Sequence, residues 1–324
     1  MTLDRRILLA AGAASLAAAG TGTTASAQGA ATPLATTQAP GFYRYKVGDL
    51  QVTAINDGIA QRPLEGFIRN AELPAVQAAM AEALLPTDRL SISFTTLVVN
   101  NGGKLTLIDT GNGNMGAPTS GTWMANFRAA GFDPANVSTI IISHFHGDHI
   151  NGLRLRDGTA VFPNAEIMVP APELAFWMDD ARMNAAPEAM RGGFQNVRRV
   201  FGPIQANLKQ YEAGKELVTG ITSVAAHGHT PGHMAFVIAS GNGKLLVVSD
   251  TVNHPALFVR NPGWHAVFDM DAAAAEATRR RMLDMAVADK LQVAFYHAPF
   301  PATGGVVKDG AGYRLVPVAW SPLV

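Results

Sequence analysis

Tyr43, Tyr45 and Val47 alternate with polar neighbours, Gly48-Asp49 offers a turn, and residues 50–55 are apolar enough to return, which predicts a β-hairpin at the start of the folded chain. A helix is expected over 74–84, strands over 95–99 and 104–108, a helix over 120–130 stopped by Gly131, and a strand over 138–142. Further on, strands are expected over 221–225, 236–239, 244–248 and 292–296, with a long helix over 272–288 before the last of them. Between 170 and 211 the pattern is irregular, with Trp177, Met178, Met183, Met190 and Phe194, and reads as an insertion or cap that is helical in pieces. Strands alternating with helices argue for a layered α/β domain built on sheets.

The first residues follow a different pattern. Arg5 and Arg6 precede an apolar run over 7–19, too short to span a bilayer comfortably, and Ala25-Ser26-Ala27 supplies a small-x-small cleavage site. Residues 1–27 therefore read as a signal peptide of the twin-arginine export type, and the expected location is periplasmic or secreted, with no stable membrane anchor after processing. Residues 28–41, rich in Ala, Thr and Pro, read as a disordered leader, and 42–324 as the folded domain.

Composition narrows the chemistry. With 48% hydrophobic and 15% charged residues the chain can bury a large core, and 25 Lys+Arg balance 25 Asp+Glu, so nothing marks a nucleic-acid partner. Cys is absent, which excludes disulfides, Cys-ligated zinc, iron–sulfur clusters and thiol nucleophiles. Any metal must rest on carboxylates and the nine histidines.

Ser143-His144-Phe145-His146-Gly147-Asp148-His149 places three imidazoles and a carboxylate directly after an apolar run. Such a loop suits Zn²⁺ or a similar divalent ion, with His144 and His146 directed to one ion and Asp148 and His149 to a second. His229, Asp250 and His297 each lie a few residues beyond an expected strand, so all can converge at one sheet edge. Asp250 can bridge two cations, and a hydroxide held between them is available at neutral pH. His227, His233, His254 and His265 are expected outside the ligand set, His254 near the pocket.

Together with Leu107-Ile108-Asp109-Thr110-Gly111 and His229-Thr230-Pro231-Gly232-His233, these residues resemble the metallo-β-lactamase superfamily. The resemblance implies a four-layer αβ/βα sandwich with two divalent ions, expected to be zinc, one on His144, His146 and His229 and the other on Asp148, His149 and His297. Asp250 would bridge them, Asp148 and Asp250 would be the catalytic carboxylates, and Asp109 would orient a ligand imidazole. Phe176-Trp177 and the stretch from Tyr296-His297-Ala298-Pro299 onward are similar to the methyl parathion hydrolase-like group and its relatives, the N-acyl homoserine lactonases. That likeness puts Trp177, Phe194 and Met115 in the substrate pocket and implies a homodimer. The expected activity is bridging-hydroxide hydrolysis of an ester-like bond, in a lactone, aryl ester or phosphotriester, of a small, largely apolar substrate. A metal-dependent nuclease and a noncatalytic metal- or ligand-binding protein are the rival readings. Mass spectrometry of exported protein is expected to find Gln28 at the N-terminus; full-length chain confined to the cytoplasm would overturn the export assignment.

Overall fold

Alternating burial along the strands builds the fold from two seven-stranded sheets that share one buried interface. In a computed structural model, which describes residues 32–324, the first sheet runs in chain order through β1 (Phe42–Val47), β2 (Leu50–Pro63), β3 (Arg89–Asn101), β4 (Lys104–Ile108), β5 (Val137–Ile141), β6 (Glu166–Pro170) and β7 (Lys209–Tyr211). Its first four strands pair antiparallel and its last four parallel. The second sheet contains β8 (Glu216–Val218), β9 (Ile221–Ala225), β10 (Met234–Ser240), β11 (Gly243–Ser249), β12 (Gln292–Phe295), β13 (Thr303–Asp309) and β14 (Gly312–Pro317), antiparallel except where β11 meets β12. The chain divides into units Met1–Gln38 and Ala39–Val324. The segment expected to be a signal peptide lies outside the described residues, and 32–40 carry no helix or strand.

Neighbouring residues of one strand point into different cores, as a period of two requires. Leu97 and Val99 of β3 face the second sheet and join Val52, Ile108, Phe236, Ile238 and Leu245 between the sheets, whereas Val98 faces outward. Outside the first sheet, Val98, Leu107 and Ile140 are covered by α2 (Trp123–Ala129), α4 (Ala171–Trp177) and α6 (Glu188–Phe201). Outside the second, Leu246, Val248, Val293 and Phe295 are covered by α1 (Leu73–Glu82) and α8 (Ala272–Ala288). The order helix, sheet, sheet, helix is the expected αβ/βα sandwich.

The 170–211 region corrects one expectation. It is the outer layer of the first sheet rather than a cap: α6 buries Phe194, Val197, Val200 and Phe201, a stripe at helical spacing, against the sheet. The pattern also missed β6, β7, β8, β13 and β14, and β2 and β3 extend well beyond the expected strands.

Parallel pairing sets the site. Because β4 runs parallel to β5 and β11 parallel to β12, both pairs deliver their C-terminal ends to a loop-bearing edge. At β4 and β11 the chain turns sharply there, with Asp109 at φ 61° and Ser249 at φ 45°, left-handed values that cost a residue with a Cβ about 1–3 kcal/mol and persist where the surroundings fix them. Replacing Phe236→Ala, at the sealed interface between the sheets, is expected to cost about 3–5 kcal/mol of stability in urea unfolding, and a negligible loss would contradict that interface.

Candidate metal centre

The loop after β5 and the one-turn helix α3 (Gly147–Ile150) carry His144, His146, Asp148 and His149. Asp109, at the end of the adjacent β4, holds this loop from beneath. Its Oδ1 accepts from the Ser143 backbone N–H at 2.7 Å, and its Oδ2 accepts from the Ser143 hydroxyl at 2.7 Å and from His149 Nδ1 at 2.8 Å. Tyr296 stacks on the His149 ring at 3.8 Å between centroids and donates its hydroxyl to the Asp148 carbonyl.

From the second sheet come His229 after β9, Asp250 directly after β11 and His297 two residues after β12. The side chains meet in two groups: His144, His146, His229 and Asp250 in one, Asp148, His149 and His297 in the other, with the candidate donor atoms of each group within 4.8 Å of one another. Asp250 touches both. Its Oδ2 lies 3.3 Å from His229 Nε2 and 2.9 Å from His297 Nε2, while its Oδ1 lies 3.2 Å from His149 Nε2.

Three of these imidazoles are oriented through their other nitrogen. His149 Nδ1 is held by Asp109, His229 Nδ1 by Asp269 Oδ1 at 2.9 Å, and His297 Nδ1 by the Ser93 carbonyl at 2.9 Å. Each arrangement leaves Nε2 facing the cluster, as metal-ligating histidines require. Buried His144 Nε2, His149 Nε2 and Asp250 Oδ1 have no hydrogen-bond partner. Orphaned acceptors of this kind, in a buried set of imidazoles and carboxylates, fit a pair of divalent ions.

The electrostatics agree with that fit. Burial and the nearby His149 hold His144 well below the usual imidazole value, and burial and His229 push His146 down to about 3. Burial opposes charge on His229 and His149 too, but Asp250 and Asp269 lift His229 to about 9, and Asp250, Asp148 and Asp109 lift His149 well above the usual value. Imidazoles within one pocket are thus driven in opposite directions. A divalent ion on each group would relieve that conflict by taking up lone pairs and neutralising carboxylates.

Sequence reasoning missed Asp269 and its anchor Arg279. Arg279, the largest fully buried side chain, gives Nε to the Thr251 carbonyl at 3.0 Å, Nη1 to the carbonyls of Pro262 and Trp264, and Nη2 to Asp269 Oδ2 at 3.1 Å. No local motif announces either residue; Asp269, two residues before the Asp271 cap of α8, looks like part of an ordinary acidic helix entry. His233 donates Nδ1–H to the Ala226 carbonyl and accepts the Asp250 N–H on Nε2, so it fixes the backbone of the shared ligand. His254 caps the short helix α7 (Pro255–Phe258), and His265 pairs with Glu276.

The cluster forms the floor of a cavity of about 420 Å³ whose wall includes Ile92, Phe94, Met115, Phe268, Asn253 and, exposed to solvent, Arg62. Met115 is therefore where the sequence placed it. Trp177 and Phe194 are not: both are buried in the outer core of the first sheet, their rings 4.8 Å apart, and the Trp177 indole N–H is used by Glu173. They face inward because α4 and α6 form the covering layer. A larger cavity of about 600 Å³, walled by Trp123, Met124 and Val161, reaches none of the clustered ligands, so the smaller one is the candidate site.

The metallo-beta-lactamase superfamily profile matches residues 88–297. Among curated proteins, the chain is 24% identical over 170 residues to an N-acyl homoserine lactonase from Bacillus sp, covering 52% of this chain and 59% of that protein. It is 30% identical over 130 residues to the N-acyl homoserine lactonase AttM of Agrobacterium fabrum, covering 38% and 43%. Both matches thus span less than two thirds of the relatives' length. Among solved structures, AidC, a dizinc quorum-quenching lactonase in complex with a product, superposes with a TM-score of 0.82 at 27% identity over 87% of this chain and 98% of its own. Hydrolase AbOPH of the beta lactamase superfamily superposes with a TM-score of 0.82 at 27% identity over 88% and 100%. Elemental analysis of the metal-loaded protein is expected to give two divalent ions per chain and Asp250→Ala fewer, with removal by a chelator lowering the melting temperature; a wild-type chain that retains one ion or none would contradict the paired site.

Proposed function

The chain belongs to the metallo-β-lactamase superfamily, and from that membership and the two ligand groups that meet at Asp250 we propose that it is a dinuclear metal-dependent hydrolase of lactones and related esters. The observation that carries the reading is the position of Asp250, within reach of both groups at the floor of the apolar cavity.

His144, His146 and His229 would hold one ion, and Asp148, His149 and His297 the other, with Asp250 between them. Bound there, such ions would supply an activated water as nucleophile near neutral pH and Lewis-acid polarisation of the oxygen on the scissile group. The chain's own residues do the rest. Asp109, Asp269 and the Ser93 carbonyl keep ligand imidazoles in the tautomer that presents Nε2. Asp148 is the more open of the two carboxylates, its side chain 24% exposed against 4% for Asp250, and, held in its ionised form, it would take up the proton released by the nucleophile and return it to the departing oxygen. Ile92, Phe94, Met115 and Phe268 exclude water around an acyl chain or aryl ring.

Lactones lead this reading because AidC, similar over nearly its whole length, is a lactonase. Aryl esters and phosphotriesters follow as side activities, since carbonyl and phosphoryl attack both develop negative charge on an oxygen at the same place. Arg62 is the cationic side chain in the wall among the described residues, which does not favour a nucleic-acid backbone. Zinc is the proposed metal, and the reaction is proposed to take place outside the cytoplasm, a reading supported by the twin arginines, apolar run and small-x-small site of residues 1–27.

On a panel of N-acyl lactones, aryl esters, phosphotriesters and RNA, the highest kcat/KM is expected for lactones, with activity abolished by chelator and by Asp250→Ala; a chain active on RNA alone, or indifferent to chelator, would refute the proposal. Met115→Phe is expected to change the lactone-to-triester ratio of kcat/KM by about tenfold or more at unchanged metal content, and an unchanged ratio would remove Met115 from the specificity argument.

A further inference from the structure

Glu173 is a fully buried carboxylate, and two of its three hydrogen-bond partners lie on the ligand loops. It sits in the first turn of α4, in the covering layer of the first sheet. Its Oε2 accepts from the backbone N–H of Phe145 at 3.0 Å and from the Trp177 indole N–H at 2.9 Å, and its Oε1 accepts from the backbone N–H of Gly232 at 2.7 Å. Phe145 stands between His144 and His146 on the loop that leaves the first sheet. Gly232 stands three residues after His229 on the loop that leaves the second. One carboxylate therefore holds together the two loops that supply the three imidazoles of one ligand group.

The surroundings show how specific the arrangement is. At Gly232 an added Cβ would lie 2.5 Å from the Glu173 backbone nitrogen, so the second loop approaches α4 as closely as a glycine permits. Trp177, one turn after Glu173, is fixed by packing on Phe194 and meets the His146 ring edge-on at 6.3 Å. Burial pushes the Glu173 carboxyl up, and the donors of Gly232, Phe145 and Trp177 oppose that shift; all three point hydrogens at its oxygens, which leaves no acceptor among them for a carboxyl proton.

Resting on the metal assignment above, we propose that Glu173 is a positioning residue for the ion held by His144, His146 and His229: it ties the His146 and His229 loops in register so that their imidazoles converge. Asp148, His149 and His297 receive no bond from it and are positioned by Asp109, Tyr296 and Ser93 instead. The inference also gives Trp177 a role, as the side chain that completes the acceptor shell of Glu173.

Glu173→Gln tests this with almost no change of volume, because the new amide nitrogen must face a donor. The protein is loaded with Co²⁺ and titrated with a competing chelator while visible absorption is followed, in a His297→Ala background that isolates the first group and in a His146→Ala background that isolates the second. Glu173→Gln is expected to weaken Co²⁺ binding about ten- to a hundredfold at the His144, His146 and His229 group and to leave the other group unchanged. Trp177→Phe, which keeps the aromatic packing and removes one donor, is expected to weaken the same group by less, and decides the matter if Glu173→Gln does not fold. Equal weakening of both groups would show a merely structural residue and overturn the proposal, as would no change at either. A wild-type chain that holds two Co²⁺ ions but hydrolyses nothing would count against the proposed function and leave this inference standing.

Discussion

Asp250 must keep an ionised carboxylate in a buried pocket within reach of three imidazole nitrogens, and much of the molecule is arranged to hold it there. Burial opposes that charge, yet His297 and His149 bring Asp250 well below the usual carboxylate range. Its backbone is fixed from both sides. Its own N–H is accepted by His233 Nε2, and the next carbonyl, that of Thr251, accepts from Arg279. The preceding Ser249 adopts a left-handed φ of 45°, a strain that the flanking sheet and these two bonds maintain.

Arg279 extends the constraint to a second ligand. The guanidinium that fixes the turn after Asp250 also pairs with Asp269, whose other oxygen orients His229. A buried ion pair contributes little net stability compared with apolar packing, but breaking one leaves an uncompensated charge that costs about 3–5 kcal/mol. The pair therefore acts chiefly through position: α8 registers two ligands from two loops of the second sheet against each other. On the first sheet Asp109 does the corresponding work for His149 and the Ser143 turn. Each half of the sandwich thus carries its own orienting carboxylate beneath the ligands.

What the sequence revealed follows from the same division. Strands with strongly apolar, β-branched runs were legible to the residue at β4 and β9, as was the long helix α8, because local pattern and tertiary environment demand the same thing there. The ligand loop was legible because so many imidazoles in seven residues have no cheaper explanation. The β13–β14 hairpin was not, since Gly304-Gly305 reads as loop and only pairing with β12 makes it strand. In α6, Gly192-Gly193 and several arginines obscure the stripe that packs on the sheet, and it was the family likeness that put Phe194 in a pocket wall. Asp269, Arg279 and Glu173 carry no local signature, because their partners lie on other elements.

The cavity wall shows why reaction class and substrate choice separate in this molecule. Two of its four polar side chains other than the ligands are committed to the frame: Asn112 donates to Asp57, and Asn151 accepts from Asn196 and Arg199. Asn253 keeps a buried Oδ1 without a partner, and Arg62 stands exposed at the edge. Recognition over the remaining surface falls to Ile92, Phe94, Met115 and Phe268, through contact and shape. Apolar pockets discriminate weakly, by about 1–3 kcal/mol for a methylene, so a wall of this kind admits a family of related molecules rather than one. Met115 stands on the 110–116 loop, whereas Phe268 directly precedes Asp269 and Ile92 and Phe94 flank Ser93 on β3, so those three adjoin the groups that orient His229 and His297. The wall at Met115 can therefore change while Asp250 and its anchors stay as they are, and substrate range can drift there without loss of the chemistry.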